Sequence, residues 1–312
     1  MPQDRMHPDY SHGLLVHDDD DELVEGTRAF VKQGLASGGN VVVRGPGDRV
    51  DMMREVLGVH PRLTYGFDEE AYLAPTDALF AYQRLLAESS DPTAFWVTGP
   101  VPLGHDSTAQ AAWARYESAV DEALCPYPYR ALCTYDTRTC PASVIAAARS
   151  THSTISDGGA SRTNPEYVDP AAFLANPLAQ VPRPPSSPPS VVTTVTRLDE
   201  LACARHLLRA SARSASAVSL HSFNEFLVAV NEVVVNGIVH GAPPVHLRLW
   251  AELDTLTCQV VDSGTGLLDP LTGFRRPDTS GPRGLWLARQ FVDDLLIGDA
   301  SGGGCSVLLT KT

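Results

Sequence analysis

The stretch Asn231-Glu-Val-Val-Val-Asn-Gly-Ile-Val-His-Gly241 decides how the second half of this chain folds. Phe223, Phe226, Leu227, Val230, Val234 and Ile238 recur through and ahead of it at helical spacing. That periodicity belongs to a helix with one buried stripe, so Ser222 to His240 is expected to be helical. Glu232, Asn236 and His240 then share another face, each one turn from the next. The neutral amide oxygen of Asn236 suits Mg2+, a hard cation that prefers oxygen and keeps several waters. A carboxylate one turn away, Glu232, can orient a hydroxyl or water and accept its proton.

Two glycine-bearing stretches follow in order. Asp262-Ser-Gly-Thr-Gly266 comes after a strand-like run, Leu256 to Val261. A carboxylate at a strand end can accept a hydrogen bond from an exocyclic amine such as adenine N6. Gly264 and Gly266 permit positive φ and close approach to a flat base. Gly281-Pro-Arg-Gly284 then precedes a helical pattern expected from Leu285 to Asp294. Exposed amides at a helix start attract phosphate, and Arg283 adds a positive charge. Gly273 to Ser280, between them, reads as a lid. Each stretch alone reads as readily as a plain polar helix, turn or loop, as does Gly302-Gly-Gly304. The ordered set supplies the parts of an ATP·Mg2+ site.

The surrounding pattern places these parts on a sheet. Val191 to Thr196, Val245 to Ala251, Leu256 to Val261 and Cys305 to Thr310 read as strands, and Leu198 to Ser214 as a further helix. An antiparallel sheet with helices on one face is expected, a two-layer α/β sandwich. The three stretches resemble the N, G1 and G2 boxes of the GHKL (Bergerat-fold) ATPases. That resemblance implies Glu232 as catalytic base and Asn236 as Mg2+ ligand. It implies ATP contacts from Asp262, Gly264, Gly266, Gly281, Arg283, Gly284, Leu285 and Ser306. Phe226 to Gly241 is similar to the RsbW-type anti-sigma-factor serine kinases in particular. These phosphorylate a Ser or Thr on a small STAS-domain antagonist and bind a sigma factor, and their type suggests a homodimer. Pro282 and Arg283 depart from the small residues usual in that glycine loop. They keep open a second reading, a catalytically inactive ATP-binding sensor or sequestering module. A histidine kinase is a weaker alternative, because no helical hairpin with a phospho-accepting His precedes the region.

Val181-Pro-Arg-Pro-Pro-Ser-Ser-Pro-Pro189 holds five prolines in nine residues, which excludes regular helix or strand. The chain is therefore read as domains 1–178 and 193–312 around a Pro-rich linker, 179–192. Upstream, strand-like Gly13 to Val16, Asn40 to Val43, Ala94 to Thr98 and Arg130 to Tyr135 alternate with helix-like Asp21 to Leu35, Asp48 to Leu57 and Thr108 to Leu124. That alternation predicts a parallel sheet covered on both faces. Arg44-Gly-Pro-Gly-Asp48 occupies the place of a P-loop but lacks its Gly-Lys-Ser/Thr, so no ATP hydrolysis is expected there. Gly34-Leu35, Trp113-Ala-Arg-Tyr-Glu117, Cys133-Thr-Tyr-Asp-Thr-Arg138 and Thr151-His152 resemble the MEDS sensory domain, a RecA-like αβα module. The resemblance implies a small-molecule signal. Arg115, Glu117 and Asp136 read as structural ion partners, and His152 as a surface or capping residue. His12, His17 and Asp18 to Glu22 read as a solvated helix start rather than a metal site.

The whole chain sets outer limits. A formal charge of −13 over 312 residues argues against nucleic acid or an anionic membrane as the main partner. No apolar stretch is read as reaching the ~20 residues of a membrane span, and no signal peptide is read at the start, so a cytoplasmic protein is expected. The six scattered cysteines read as buried free thiols, with a Cys133–Cys140 redox pair as the alternative.

Overall fold

The computed structural model describes residues 6–66, 75–91, 93–103, 106–175, 183–211, 217–266, 269–277, 283–300 and 303–312. The chain divides into two compact units, Met1–Phe173 and Leu174–Thr312.

The first unit runs β1 (Ser11–His17), α1 (Asp20–Ala36), β2 (Asn40–Arg44), α2 (Gly47–Leu57), β3 (Leu63–Gly66), α3 (Pro75–Glu88), β4 (Phe95–Pro100), α4 (Ser107–Leu124), β5 (Tyr129–Asp136), α5 (Ala142–Thr151), β6 (Thr154–Asp157), β7 (Ala160–Thr163) and α6 (Pro170–Leu174). The sheet order is β3-β2-β4-β5-β1-β6-β7. All neighbours are parallel except the final β6–β7 pair. Successive strand residues point to opposite faces, and Leu14 and Leu15 show that both faces are covered. Leu15 packs with Val31, Val41, Val43 and Trp96, while Leu14 packs with Tyr135, Val144, Ala148 and Ile155. α1 starts where Asp19 caps it, its carboxylate accepting from the Glu22 amide at 2.8 Å.

The second unit runs β8 (Val191–Val195), a 3₁₀ turn (Leu198–Glu200), α7 (Leu201–Ser211), α8 (Leu220–Val239), β9 (Val245–Ala251), β10 (Leu256–Val261), α9 (Gly284–Gln290), β11 (Asp294–Asp299) and β12 (Cys305–Lys311). Its antiparallel sheet has the order β11-β12-β10-β9-β8. Val245, Leu247 and Leu249 face the core, and His246 and Arg248 face away, as a one-sided sheet requires. Phe226, Val230 and Val234 of α8 fill the space above Leu247, Leu249 and Val260.

Two expected elements end elsewhere. The helix expected from Leu198 begins as a 3₁₀ turn. The helix expected to reach Asp294 stops at Gln290, and Asp294–Asp299 instead pairs along β12. Phe291, Val292 and Leu295 keep helical spacing, but the open edge of β12 offers backbone partners that a longer helix would leave unpaired. By length and composition α8 is apolar enough to cross a membrane, contrary to the sequence expectation. Its apolar stripe is the core of this unit. All six cysteines are free; Cys125 and Cys258 are buried, and Cys203 is exposed rather than buried.

Candidate functional site

α8 carries the first two residues of the predicted site. Ser219 caps its start, the hydroxyl accepting from the Ser222 amide at 3.0 Å. Its buried stripe is turned into the core, which leaves Glu232 and Asn236 half-buried on the adjoining face. Neither side chain forms a hydrogen bond or ion pair among the described residues. Both point toward the first residue of α9. A Cβ built on Gly284 would lie 3.0 Å from Glu232 Oε2 and 3.2 Å from Asn236 Oδ1. Glycine lets the backbone pass this near the two side-chain ends without displacing them.

Asp262 follows β10 and is 9% exposed. Its amide continues the ladder to the Cys305 carbonyl at 3.0 Å, and its Oδ1 accepts from the Gly264 amide at 2.7 Å. Its other oxygen has no hydrogen-bond partner among the described residues. Asp262 is enclosed by backbone from three sides. A Cβ on Gly264 would stand 2.9 Å from Oδ1, and one on Gly304 would overlap the Asp262 carbonyl oxygen. Gly304 has φ of +101°, so the β11–β12 turn is a required support and not a bare turn. Gly266 takes positive φ as expected; Gly264 does not, and serves through close approach alone.

A cavity of about 310 Å³ joins these parts, within the usual range of roughly 300–1,000 Å³ for small-ligand sites. Asn236, Asp262, Gly266, Gly284 and Leu285 line it. Glu232 stands behind Gly284, and Gly264 braces Asp262. Ser306 is buried outside the lining, its hydroxyl accepting from Gln259 Nε2 at 3.1 Å. Arg283 occupies the cap position of α9 without a side-chain capping bond. Gly281, Pro282 and the end of the expected lid, residues 278–280, lie outside the described residues. Sequence reading missed Thr272 and Trp286 in the wall, and Arg289 beneath it. Arg289 Nε donates to the Thr272 carbonyl at 3.3 Å and Nη1 to the Leu295 carbonyl at 3.0 Å, with its guanidinium over Phe274. It ties the loop ahead of α9 to β11. Only its contacts, not its place in a motif, reveal it.

The residues fit a nucleotide with a divalent cation. Val233, Val260, Ile297 and Val307 give an apolar bed for a base beside an acceptor carboxylate. The amide oxygen of Asn236 is available to a hard cation.

The first unit holds a second cavity, about 550 Å³, outside the carboxyl ends of β1, β2, β4 and β5. Open α/β sheets bind ligands in that position. Arg44, Pro46 and Arg49 of the P-loop-like turn line it, with His17, Asp136 and Cys140. Asp136 accepts from Arg138 at 2.6 Å and Arg49 at 3.4 Å. Arg138 holds its carboxyl down at about 2. The solvated reading of His12 and His17 fails, since both are almost wholly buried. His152 is buried rather than at the surface but does cap α5, and with His12 it flanks Glu117. Burial pushes the Glu117 carboxyl up, but the two histidines outweigh it and hold it at about 2.

Residues 11–153 match the family model of the MEDS (MEthanogen/methylotroph, DcmR Sensory) domain, and residues 194–311 match that of the histidine kinase-like ATPase domain. Comparison with curated proteins gives no match. The second match likens this unit to GHKL-type ATPase domains, a resemblance that implies ATP binding.

Proposed function

We propose that this chain, which carries a MEDS sensory domain and a histidine kinase-like ATPase domain, is an ATP-dependent anti-sigma-type serine/threonine kinase. Its substrate would be a hydroxyl on a STAS-domain antagonist, and a sigma factor its alternative partner. The observation that carries the reading is the convergence of Glu232 and Asn236 on Gly284, beside a cavity that ends at Asp262.

ATP with Mg2+ supplies the transferable γ-phosphoryl group. Asn236 offers the metal its amide oxygen. Asp262 offers the base amine its second carboxylate oxygen, while Gly264 holds the first. Glu232 would orient the incoming Ser or Thr hydroxyl and accept its proton as that oxygen bonds to the γ-phosphorus, the bond to the β,γ-bridging oxygen breaks and ADP leaves. The glycine at 284 keeps that carboxylate reachable. A small-molecule signal would occupy the 550 Å³ cavity of the first unit. Phosphorylation would then switch the partner by adding charge at an interface.

The test is capture from native lysate with and without Mg·ATP, followed by phosphosite mapping. A STAS protein bearing acid-stable Ser or Thr phosphate, absent with Glu232→Ala, supports the kinase. Nucleotide-dependent capture without phosphate replaces it with the sequestering module. Acid-labile phosphohistidine would overturn both.

A further inference from the structure

His12, Glu117, Cys133 and His152 come from β1, α4, β5 and the residue after α5, over more than a hundred positions of sequence. The sheet brings them together because β1 lies between β5 and β6. Their ligand atoms all lie within 4.8 Å of one another. His12 Nε2 is 3.2 Å from Glu117 Oε2 and 3.6 Å from Cys133 Sγ, and His152 Nε2 is 2.9 Å from the same Glu117 oxygen. The two imidazole rings have centroids 4.1 Å apart.

The other ring nitrogens face oxygen atoms outside the cluster. His152 Nδ1 stands 2.8 Å from the Ala148 carbonyl, and His12 Nδ1 stands 3.2 Å from Asp121 Oδ1. The Ala148 carbonyl only accepts, so His152 Nδ1 carries a proton and that ring, when neutral, turns its Nε2 lone pair toward Glu117; His12 Nδ1 is buried without a hydrogen bond, and His12 Nε2 faces the same Glu117 oxygen. Asp121 is itself fixed by the Tyr10 hydroxyl at 2.7 Å and the Tyr167 hydroxyl at 2.5 Å. Ligand histidines bear this outer arrangement, the far N–H held by a carboxylate or backbone carbonyl. His152 Nε2 is buried without a hydrogen bond despite its nearness to Glu117. Two Nε2 atoms within 3.2 Å of one carboxylate oxygen are satisfied either by protons or by a metal cation between them.

We propose that these four side chains form a binding site for one divalent transition metal of the zinc class. Zinc takes nitrogen and oxygen at about 2.0–2.2 Å and sulfur at about 2.3 Å, so a tetrahedron has N–O edges near ~3.4 Å and an N–S edge near ~3.6 Å. The spacings of His12 to Glu117 and to Cys133 follow those edges. Binding releases the Cys133 thiol proton and any protons held on the two Nε2 atoms. One carboxylate and one thiolate then balance the dication within the ligand set, and the Asp121 carboxylate outside it is held by the Tyr10 and Tyr167 hydroxyls. Imidazole, carboxylate and thiolate together favour zinc over the hard cations. A small cavity reaches Glu117 and Cys133 and shares Arg44, Thr98 and Gly99 in its wall with the 550 Å³ cavity.

The same atoms filled only with protons would be an ion cluster of two imidazoliums and two carboxylates. Cobalt separates the two. The untagged full chain, reduced and stripped by chelator, is titrated with Co2+ alone. The expected result is one equivalent bound, with intense tetrahedral d–d bands and a thiolate-to-cobalt band in the near ultraviolet, both erased by one equivalent of Zn2+. Cys133→Ser should lose the near-ultraviolet band. Asp121→Asn, a positioning change, should weaken Co2+ by roughly 10–100-fold. Circular dichroism checks that each variant is folded. The wild-type spectrum decides alone if the variants do not fold. A folded wild-type chain that shows no such bands, or a near-ultraviolet band that survives Cys133→Ser, overturns the site.

Discussion

At the scale of single residues, the candidate site of the second unit is a matter of which side chains are left uncommitted. Glu232 and Asn236 have no partners among the described residues, whereas Asp262 has one oxygen bound and one open. Glu232→Ala is expected to retain ATP affinity and to lose phosphoryl transfer by about 10²–10⁴-fold, the usual worth of a positioned base. Equilibrium binding and single-turnover transfer separate the two quantities, and transfer at the wild-type rate would remove Glu232 from that role. Asn236→Ala should instead abolish the Mg2+-dependent part of binding. The glycine pair at the β11–β12 turn gives a sharper structural test. Gly303 and Gly304 both have positive φ, but only a Cβ on Gly304 strikes the Asp262 backbone. Gly303→Ala should therefore lose only the conformational term, about 1–3 kcal/mol. Gly304→Ala should lose more than that, with weakened nucleotide binding, as read from urea midpoints and affinity; equal losses would refute the packing argument. Glu232, Asn236 and Asp262 were legible in sequence because each lies in a short ordered stretch. Gly304, Trp286 and Arg289 were not, since their roles arise from neighbours on other strands and loops.

At the scale of elements, α8 is both wall and foundation. Phe226 is wholly buried at the centre of its stripe. Phe226→Ala should destabilise the second unit by about 3–5 kcal/mol, measured by denaturant unfolding. A loss below 1 kcal/mol would mean that α8 does not build that core. α9 is shorter than its periodicity implies because β12 captures the following residues as β11. Spacing of apolar residues cannot distinguish a helix from a strand when an open sheet edge competes for the same backbone. β3, β6 and β7 escape sequence reading for a different reason: each has only four residues, too few for a period to show. Arg289 fixes the loop before α9 through a planar fork that lysine cannot reproduce. Arg289→Lys should accelerate amide exchange across 269–277 without altering exchange in β9 and β10.

At the scale of the whole molecule, charge and topology act separately in the two units. In the first, Arg138 holds the Asp136 carboxyl at about 2, below the usual carboxylate value of about 4. A lowered folded-state value stabilises above the unfolded one, and that stability is lost as pH falls from about 4 toward 2. Amide protection around β5 should fall over that window and should fall less in Asp136→Asn. A profile unchanged by the substitution would show that the pair contributes nothing. The alternation of strands and helices made this parallel sheet readable from sequence. The buried meeting of His12 with His152 was not, because no local spacing records a contact made across a sheet.

Trp286 forms part of the wall beside Asn236 and Gly284, whereas Trp96, Trp113 and Trp250 are buried elsewhere. The molecule thus carries its own optical gauge. Light absorbed by an indole at that wall is re-emitted at a wavelength set by the dipoles around it, and a nucleotide entering the cavity exchanges water for a purine. Emission that shifts with added ATP and loses that shift in Trp286→Phe would report occupancy in real time, with no label attached.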